Sequence, residues 1–425
     1  MDKLILEDVR CFHGRHELPL APLTILVGEN STGKSTLLAA IRLAWDIGIG
    51  RVDPDFSEEP FDWGAYDQVA NFRGGRGGRA KSFVIGFEKT RKGSGQPNGR
   101  RLEADTVQVE ATFVRKGAQP RISEWKTQSK RHSAVATYSD DRNKFSLALV
   151  AGENRGTYEI DLGGAPIGSI PPFFLFGEES KKFSKEDQQM FARLFYESRE
   201  GARPYAIAPI RTKPQRTYEP RREVHRPEGE HVPMILAGMK SSDSAEWELV
   251  RAQLREFGKA SGLFRDVDIK RLGDKESDPF QVQIAVPGPE RNLVDVGYGI
   301  SQVLPIIVDC LTCTPKQILL VQQPEVHLHP RAQAQLGAFL GYMAGKHDNR
   351  LVVETHSDYL IDRICIDIRD NKILSPEDVC ILYCARDGGG INVHPIHIDA
   401  NGNIIDAPRG YRQFFLEEET RLIGG

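Results

Sequence analysis

The 425-residue sequence has few cysteines and no long apolar segment. Six cysteines are too sparse for a disulfide scaffold in a chain of this length, so the small disulfide-rich secreted classes are excluded. No segment approaches the ~20 apolar residues that a membrane-spanning helix requires, and the first residues do not follow the pattern of a signal peptide. We therefore expect a soluble protein of a reducing cytoplasm.

The sequence also lacks an excess of either charge. Its 56 Lys and Arg residues oppose 59 Asp and Glu residues, for a net charge of −3 at pH 7, so any surface that binds nucleic acid has to be a local patch. Hydrophobic residues make up 40% and charged residues 27%, which excludes bulk disorder. There is no repeat of fixed period and no long heptad run, which excludes a solenoid and argues against an extended coiled-coil arm.

What is present is a pattern of strands and helices that predicts one α/β domain divided by an insertion. Residues 1–80 read as strands followed by a helix, and residues 291–425 as apolar strands that alternate with helices, the pattern of a parallel sheet with crossovers. Residues 81–290 form the insertion, β-rich at first and then helical. Alternating segments at 82–87 and 107–113 predict antiparallel strands with one solvated face.

The strongest functional pattern is a phosphate-binding loop at residues 28–35, Gly-Glu-Asn-Ser-Thr-Gly-Lys-Ser, which matches G-x-x-x-x-G-K-[ST] in full. An apolar strand precedes it and a helix follows, a context that a chance glycine turn rarely has. Lys34 would place its charge on the β- and γ-phosphates, and the Ser35 hydroxyl would bind Mg²⁺. The sequence thus predicts an ATP–Mg²⁺ site lined by Gly28, Glu29, Asn30, Ser31, Thr32, Gly33, Lys34, Ser35 and Thr36.

Three further motifs lie in the C-terminal half. Residues 317–330 read as a buried strand that ends in Gln-Gln-Pro-Glu-Val-His-Leu-His-Pro, and residues 351–357 as a strand that ends in Glu-Thr-His-Ser. A turn with two glycines lies at 296–302 and is expected to open a helix that starts at Gln302. Together with the phosphate loop, these motifs resemble the ATPase head of ABC-class proteins of the RecF, SMC and OLD kind. The resemblance implies a split ABC-type P-loop head, with a mixed or parallel sheet and flanking helices, that dimerises around ATP–Mg²⁺.

Within that class, the sequence is most similar to bacterial OLD-like ATPases of anti-phage defence, such as the Septu-type ATPase subunits. The likeness extends over about residues 1–70 and 200–425 and implies an ATPase that gates a nucleic-acid-attacking effector. Only about 70 residues follow His356, and they contain no second acidic metal cluster, so we expect any nuclease on another chain. The Septu resemblance implies that this partner is an effector of H-N-H type. The segments that support this likeness are 208–211, 299–305, 355–360 and Phe414-Phe415.

The resemblance also implies roles for single residues. Gln322 occupies the position of the Walker B acid that holds the metal, Gln323 that of the catalytic glutamate, and His356 that of the histidine that senses the γ-phosphate. Arg10 resembles an early arginine near the phosphates, and Gln68 is a candidate Q-loop residue. A signature turn presented to the nucleotide of a second subunit would contain Gly299, Ser301 and Gln302.

The two glutamines depart from the family pattern. An amide can orient a water molecule, but it cannot accept a proton at neutral pH, as a catalytic carboxylate does. Three alternatives follow: a slow ATPase that uses Glu325 as the base, a switch that only binds ATP, and a variant engineered to block hydrolysis. A second function stays open beside the defence ATPase, namely a RecF- or SMC-like DNA-binding protein that uses ATP as a clamp.

Two other constellations admit a structural and a functional interpretation. His327 and His329 are expected to pack in a turn rather than bind a metal. The pair Cys310 and Cys313 has no second pair at zinc-ribbon spacing, so buried thiols are favoured over a zinc site, and the same holds for the pair formed by Cys380 and Cys384.

Two basic runs interrupt the overall charge balance. Residues 70–101 contain nine cations against Glu88 and include the run Arg-Gly-Gly-Arg-Gly-Gly-Arg at 73–79. Each run is consistent with a contact with nucleic acid. The alternatives are a solvated loop or a contact with an acidic partner subunit. The cations of the first run are Arg73, Arg76, Arg79, Lys81, Lys89, Arg91, Lys92, Arg100 and Arg101, and those of the second are Arg211, Lys213, Arg216, Arg221, Arg222 and Arg226.

Overall fold

The structure is a computed structural model that describes most of the chain. The described residues are 1–91, 105–139, 144–151, 154–161, 183–198, 201–222, 224–242, 245–346, 349–370, 373–388, 390–413, 417 and 420–421. The C-terminal pair Phe414-Phe415 therefore lies outside them, as do Lys92, Arg100 and Arg101 of the first basic run. The chain divides into two compact units, the first made of residues 1–20, 29–203 and 384–394, the second of residues 21–28, 204–383 and 395–425.

Unit 1 is built on an antiparallel eight-stranded sheet of order β2-β1-β4-β5-β6-β7-β8-β9. Leu4 in β1 pairs with Phe87 in β4, so the strands after residue 81 continue the N-terminal sheet. The strands are β1 (Lys3–Val9), β2 (Phe12–Pro19), β4 (Ser82–Arg91), β5 (Asp105–Lys116), β6 (Gln119–Gln128), β7 (His132–Tyr138), β8 (Lys144–Ala151) and β9 (Asn154–Asp161), and the helices are α1 (Lys34–Gly48), α2 (Tyr66–Val69) and α3 (Lys185–Ser198).

The core of unit 1 forms because the strands alternate as the sequence predicts. In β5, Val107, Val109, Ala111 and Phe113 are buried while their neighbours are partly exposed. Phe83 stacks on Phe113 with ring centroids 4.9 Å apart. Helix α1 is buried along most of its length, and the indole of Trp125 donates a hydrogen bond of 3.0 Å to the carbonyl of Ile47 near its end.

The strands of unit 2 belong to a seven-stranded sheet of order β10-β14-β15-β3-β16-β17-β18, in which β10, β14, β15 and β3 are parallel. Parts of β16 and β17 fall in the residue ranges of unit 1. A second sheet has the order β11-β12-β13. The strands are β3 (Leu23–Gly28), β10 (Tyr205–Ile207), β11 (Asp266–Arg271), β12 (Phe280–Ala285), β13 (Arg291–Asn292), β14 (Ile318–Gln322), β15 (Arg350–Glu354), β16 (Val379–Asp387), β17 (Gly390–Ile398) and β18 (Ile404–Ile405).

The helices of unit 2 bury apolar faces that the sequence pattern indicates. In α5, for example, Trp247, Val250, Leu254 and Phe257 recur at helical spacing and are all buried. Among the described residues, no helix is both long and apolar enough to cross a membrane. The helices are α4 (Val232–Ser241), α5 (Ala245–Ser261), α6 (Tyr298–Thr312), α7 (Pro330–Lys346) and α8 (Asp358–Arg369), with 3-10 turns at Leu293–Asp295 and Pro376–Asp378.

The boundaries predicted from the sequence, after residues 80 and 290, do not coincide with the two units. The first falls inside unit 1 because β4 pairs with β1, and the second falls inside unit 2 because β10, which lies in the predicted insertion, pairs with β14. The three-part division stays a prediction, and backbone pairing places strands from different predicted parts in the same sheet.

Candidate functional site

The phosphate loop begins where β3 ends and closes where α1 begins. Gly28 has a φ of +139° and Gly33 a φ of +86°, both in the region that favours glycine. A Cβ atom on Gly33 would lie 2.6 Å from Sγ of Cys11 and 2.7 Å from Cζ of Phe12. Both the backbone conformation and the packing therefore require glycine at this position.

Side chains and the helix terminus give the loop the character of an anion site. Nζ of Lys34 and Oγ1 of Thr32 each donate a hydrogen bond of 2.7 Å to the carbonyl of Glu29, which folds the loop back on itself. Helix α1 has no acidic residue in its first turn, and Gly33 at its N-cap has no side chain to cap the first N–H groups. The positive end of the helix dipole and a lysine thus converge, as binding of a phosphate requires.

Arg10 lies beside this loop. Its Nη1 is 3.5 Å from Oγ1 of Thr36, and its Nη2 donates to the carbonyl of Trp63 at 3.2 Å. The guanidinium also stacks over the indole of Trp63, 4.7 Å from the ring centroid. Burial lowers the pKa of Arg10, although the arginine keeps its charge at neutral pH. Contact with phosphate stays a prediction.

Within unit 2, the polar residues that follow β14 and β15 meet at one edge of the sheet, which we call the carboxyl edge. Gln322 pairs with Glu354, and Glu354 pairs in turn with Leu26 of β3, two residues before the phosphate loop starts. The N–H of Gln323 donates to the carbonyl of Glu354 at 2.8 Å, and the N–H of Thr355 to that of Leu26 at 3.1 Å. The three strands therefore end together, as parallel strands of a nucleotide-binding sheet do.

The carboxyl edge contains acceptors that are buried and have no partner. The backbone N–H of His356 donates to Oε1 of Glu325 at 2.7 Å. Among the described residues, Oε2 of Glu325 and Oε1 of Gln322 are buried and accept no hydrogen bond. Gln323 has a φ of +41°, an uncommon conformation for a side chain of this kind. Buried acceptors of this kind fit a bound water or the hydration shell of Mg²⁺.

One residue of this edge was missed as a site residue by sequence reasoning. Arg211, which the sequence places only in a basic run and in a family-like segment, is 3% exposed. Its Nη2 donates to the carbonyls of Gln322 and Gln323 at 3.2 and 3.3 Å. Burial lowers its pKa to about 10, against the attraction of Glu325. The signal that could have found it is Ala-Pro-Ile-Arg directly after β10, a strand parallel to β14.

The predicted signature turn lies inside a helix. The sequence places the start of this helix at Gln302, but α6 begins at Tyr298, so that expectation was wrong. A Cβ on Gly299 would lie 2.8 Å from the carbonyl of His327, and the Ser301 hydroxyl donates to the carbonyl of Tyr298 at 2.9 Å. Ser301 and Gln302 are both buried in this single chain. Their presentation to a second subunit stays a prediction.

Gln68, the candidate Q-loop residue, has a local role in the structure. Its Oε1 accepts a hydrogen bond of 2.8 Å from the N–H of Ala65, which closes the first turn of α2. Its amide therefore serves the short helix here, and the Q-loop role stays a prediction.

The histidines and cysteines show structural contacts. His327 packs edge-on against the ring of Tyr298 at 5.2 Å, and Nδ1 of His329 accepts from the first turn of α7. None of the six cysteines forms a disulfide, and burial raises the pKa of Cys313 to about 11 and that of Cys380 to about 12. Within the described part of the chain, the potential metal ligands that converge are others, namely His225, His231 and Asp309.

Several cations of the two basic runs already form ion pairs, hydrogen bonds or ring contacts within the chain. In the first, Arg73 pairs with Asp8 at 2.8 Å, and Arg79 donates to the carbonyl of Ala70 and stacks over Phe72. In the second, two arginines also pair with acids: Arg216 with Asp295 and Arg221 with Glu230, while Arg211 is buried at the carboxyl edge. The cationic surface is therefore smaller than the sequence suggests.

Comparison with known proteins assigns a family. A family model described as "AAA domain, putative AbiEii toxin, Type IV TA system" matches residues 23–362. The chain belongs to this family. The match begins at the first residue of β3 and therefore includes the phosphate loop, the carboxyl edge and α6. A comparison with curated proteins found no match.

Solved structures similar to this AAA-domain protein include heads of SMC proteins. One is an SmcHead bound to the C-winged helix domain of ScpA, 12% identical, with a TM-score of 0.50, over 93% of this chain and 98% of that chain. Another is the SMC head domain from Thermotoga maritima, 12% identical, with a TM-score of 0.37, over 93% and 99%. The first shows the fold: an SMC-head-like α/β fold, as the split ABC-type P-loop ATPase predicted from sequence requires.

Proposed function

We propose that this AAA-domain P-loop ATPase binds ATP and Mg²⁺, hydrolyses ATP slowly, dimerises around the bound nucleotide and gates a separate effector that attacks nucleic acid. The finer assignment, to OLD-like ATPases of anti-phage defence with a Septu-type arrangement, rests on the sequence motifs. In this proposal Lys34 and the loop N–H groups hold the phosphates, Ser35 and Gln322 serve the metal, and His356 senses the γ-phosphate. Ser301 acts on the nucleotide of the second subunit.

The observation that carries the proposal is the conformation of residues 28–35. The loop has left-handed glycines, a lysine folded over the loop carbonyl and a helix N-terminus without acidic residues, and it leaves the carboxyl edge of a parallel sheet. Each of these features favours a phosphate anion, and their combination is that of a nucleoside triphosphate site.

ATP binding is tested with the Lys34→Ala variant. Loss of the point charge on the β/γ-phosphates should weaken binding of a fluorescent ATP analogue at least tenfold, because a charge-assisted contact contributes about 1.5–3 kcal/mol. The matched control is Lys270→Ala, which removes an exposed lysine of β11. Equal affinity of the Lys34→Ala variant and the wild type would refute the site.

Hydrolysis is tested at the glutamine pair. If a missing carboxylate limits the reaction, Gln323→Glu should raise the steady-state ATPase rate at least tenfold, since general-base catalysis contributes about 10²–10⁴-fold. A slow ATPase with Glu325 as base predicts measurable wild-type turnover that Glu325→Gln abolishes. A switch that only binds ATP predicts no wild-type turnover with unchanged ATP affinity.

The effector is tested by copurification. We expect a nuclease chain of H-N-H type to bind this ATPase, with its nuclease activity dependent on whether ATP is present. The decisive comparison is the same complex assembled with the Lys34→Ala subunit, which should lose the nucleotide dependence. Nuclease activity that ignores ATP in both complexes would remove the gating part of the proposal.

A second candidate function, a DNA clamp of RecF or SMC kind, is favoured by one surface. Arg222 and Arg226 are exposed, and neither side chain has an ion pair among the described residues. Binding of plain duplex DNA without any partner, with an affinity that falls steeply as salt rises, would support this function. Replacement of both arginines by alanine should then reduce the slope of log K against log [salt] by the amount expected for about two phosphate contacts.

A further inference from the structure

Unit 2 contains three potential metal ligands that converge, which we call the ligand cluster, and none of them is assigned to the ATP site. His225 belongs to the connection between β10 and α4, His231 is the N-cap of α4, and Asp309 lies in α6. One ligand atom of each, a ring nitrogen or a carboxylate oxygen, lies within 4.8 Å of those of the other two. Two imidazoles and a carboxylate are a donor set that suits Zn²⁺.

The two buried members of the ligand cluster meet at one nitrogen atom. His231 is 4% exposed and Asp309 is 2% exposed, so protein encloses both side chains. Nε2 of His231 lies 2.8 Å from Oδ1 of Asp309 and 2.8 Å from the hydroxyl of Tyr205. A neutral imidazole has only one ring proton, whereas a metal ion at this point contacts the nitrogen and the carboxylate together.

His225 is the member that the buried pair does not explain. The hydrogen bond between His231 and Asp309 accounts for those two residues as a structural pair. The ring of His225 packs against Tyr205, and its centroid lies 4.8 Å from that of His231. Among the described residues, neither ring nitrogen of His225 makes a hydrogen bond, and the side chain is exposed. It thus has a nitrogen to offer an ion that enters from solvent.

The ligand cluster fits a tetrahedral ion after a small closure. Zinc binds nitrogen and oxygen at about 2.0–2.2 Å, so two ligand atoms of one tetrahedral ion lie roughly 3.3 Å apart. Nε2 of His231 and Oδ1 of Asp309 are already 2.8 Å apart, and the exposed side chain of His225 can move inward. Metal at Nε2 leaves the ring proton of His231 on Nδ1, which ends the 3.3 Å contact from the N–H of Arg226.

The connection between β10 and α4 is long enough to need a fastening. Its described residues, 208–222 and 224–231, belong to none of the helices and strands given above. A connection longer than about 12–15 residues without such structure is uncommon in a compact unit. This one contains the second basic run, in which Arg222 and Arg226 flank His225. An ion held by the ligand cluster would tie the connection to α6, because metal binding favours the fold that brings its ligands together.

We propose that His225, His231 and Asp309 form a Zn²⁺ site that fastens the connection between β10 and α4 to α6. Three protein ligands hold the ion, and water takes the fourth position of the tetrahedron. The site goes beyond the proposed ATPase function and depends on neither the binding nor the hydrolysis of ATP.

The experiment measures zinc binding by the full-length chain after treatment with EDTA and dialysis, at pH ~7.5, where an ordinary histidine is mostly neutral. Each chain is titrated with zinc chloride in competition with a chromophoric chelator. The wild type should bind one ion per chain that His225→Gln binds at least tenfold more weakly, since even an outer-shell partner contributes about 10–100-fold. The matched control is His397→Gln, which removes an exposed histidine of β17 and should bind zinc as the wild type does.

Thermal unfolding gives a second measurement. Zinc at about a hundredfold its Kd should raise the Tm of the wild type and of His397→Gln by about 5 °C, and that of His225→Gln by no more than half as much. Asp309→Asn keeps an acceptor for His231 but loses the carboxylate, so its affinity for zinc should also fall at least tenfold. If Asp309→Asn does not fold, the Tm comparison between the wild type and His225→Gln decides.

Three results would overturn the inference. A wild-type chain that binds no zinc has no such site. Equal zinc binding by the wild type and His225→Gln would mean an adventitious ion on other side chains and would leave His231 and Asp309 as a structural pair. An affinity that falls in His225→Gln but not in Asp309→Asn would remove the link to α6. None of these results bears on the ATP site, which Lys34→Ala tests separately.

Discussion

Replacement of Gly33 by alanine tests the phosphate loop most directly. The residue has a φ of +86°, and an added Cβ would overlap with Cys11 and Phe12 at 2.6 and 2.7 Å. The left-handed conformation costs a non-glycine residue about 1–2 kcal/mol. Overlap with packed neighbours adds about 1–3 kcal/mol. We therefore expect Gly33→Ala to cost about 2–5 kcal/mol in total.

This cost can lower either the free energy of unfolding or the affinity for ATP. Urea unfolding and ATP binding, measured on the same variant, distinguish the two. If the loop keeps its shape, the free energy of unfolding falls by the full amount. If the loop distorts instead, the protein stays nearly as stable but the affinity for ATP falls, by about tenfold for each 1.4 kcal/mol. Either result follows from the same geometry.

Gly14→Ala provides the matched control. Gly14 has a φ of +71°, but no atom lies within 4 Å of the position that its Cβ would take. This variant should lose only the backbone contribution of about 1–2 kcal/mol and bind ATP normally. If Gly33→Ala costs no more than Gly14→Ala in both assays, the packing of the phosphate loop described above is wrong.

Three further predictions concern stability. Asp309→Ala removes a buried acceptor 2.8 Å from Nε2 of His231 and should lower the free energy of unfolding by about 2–3 kcal/mol in urea, more than Asp309→Asn, which keeps an acceptor. Burial by itself would raise the pKa of Asp266, but the hydrogen bonds from Arg255 and Arg251 outweigh burial, and the net effect is a lowered pKa. The ionised carboxylate of Asp266 therefore stabilises the fold at neutral pH, and this stabilisation is lost in acid. The difference between the wild type and Asp266→Asn should thus shrink below pH ~4, and an unchanged difference would contradict it. Trp125→Phe should cost about 1 kcal/mol, measured by thermal unfolding, because the carbonyl of Ile47 at the end of α1 loses the indole N–H but keeps the N–H of Gly50 as a donor.

The phosphate loop was predictable because its information is local. Strand, loop and helix are consecutive, and the loop conformation follows from glycines at Gly28 and Gly33 and from the lysine between loop and helix. The alternation of β5 and the apolar strands β14 and β15 were predictable for the same reason, since periodicity within a few residues fixes which side chains are buried.

Other features depend on pairing between distant segments. Arg211 reads as one more cation of a basic run, and only the parallel pairing of β10 with β14 brings it to carbonyls more than a hundred residues away. The predicted boundary after residue 80 falls between two strands that pair, β1 and β4. Helix α6 starts at Tyr298, earlier than its glycines suggest, and Gly299 in its first turn packs against the carbonyl of His327.

The sequence by itself therefore determined the class of fold, the phosphate loop and the two glutamines where carboxylates are expected, since each is written in contiguous residues. The tertiary structure alone decided which cations are buried or paired, which hydroxyls and amides are already engaged, and which carboxylate has a buried oxygen that accepts no hydrogen bond among the described residues. The physical reason is that hydrogen bonding and burial depend on neighbours in space, and strand pairing brings together residues that are far apart in the chain.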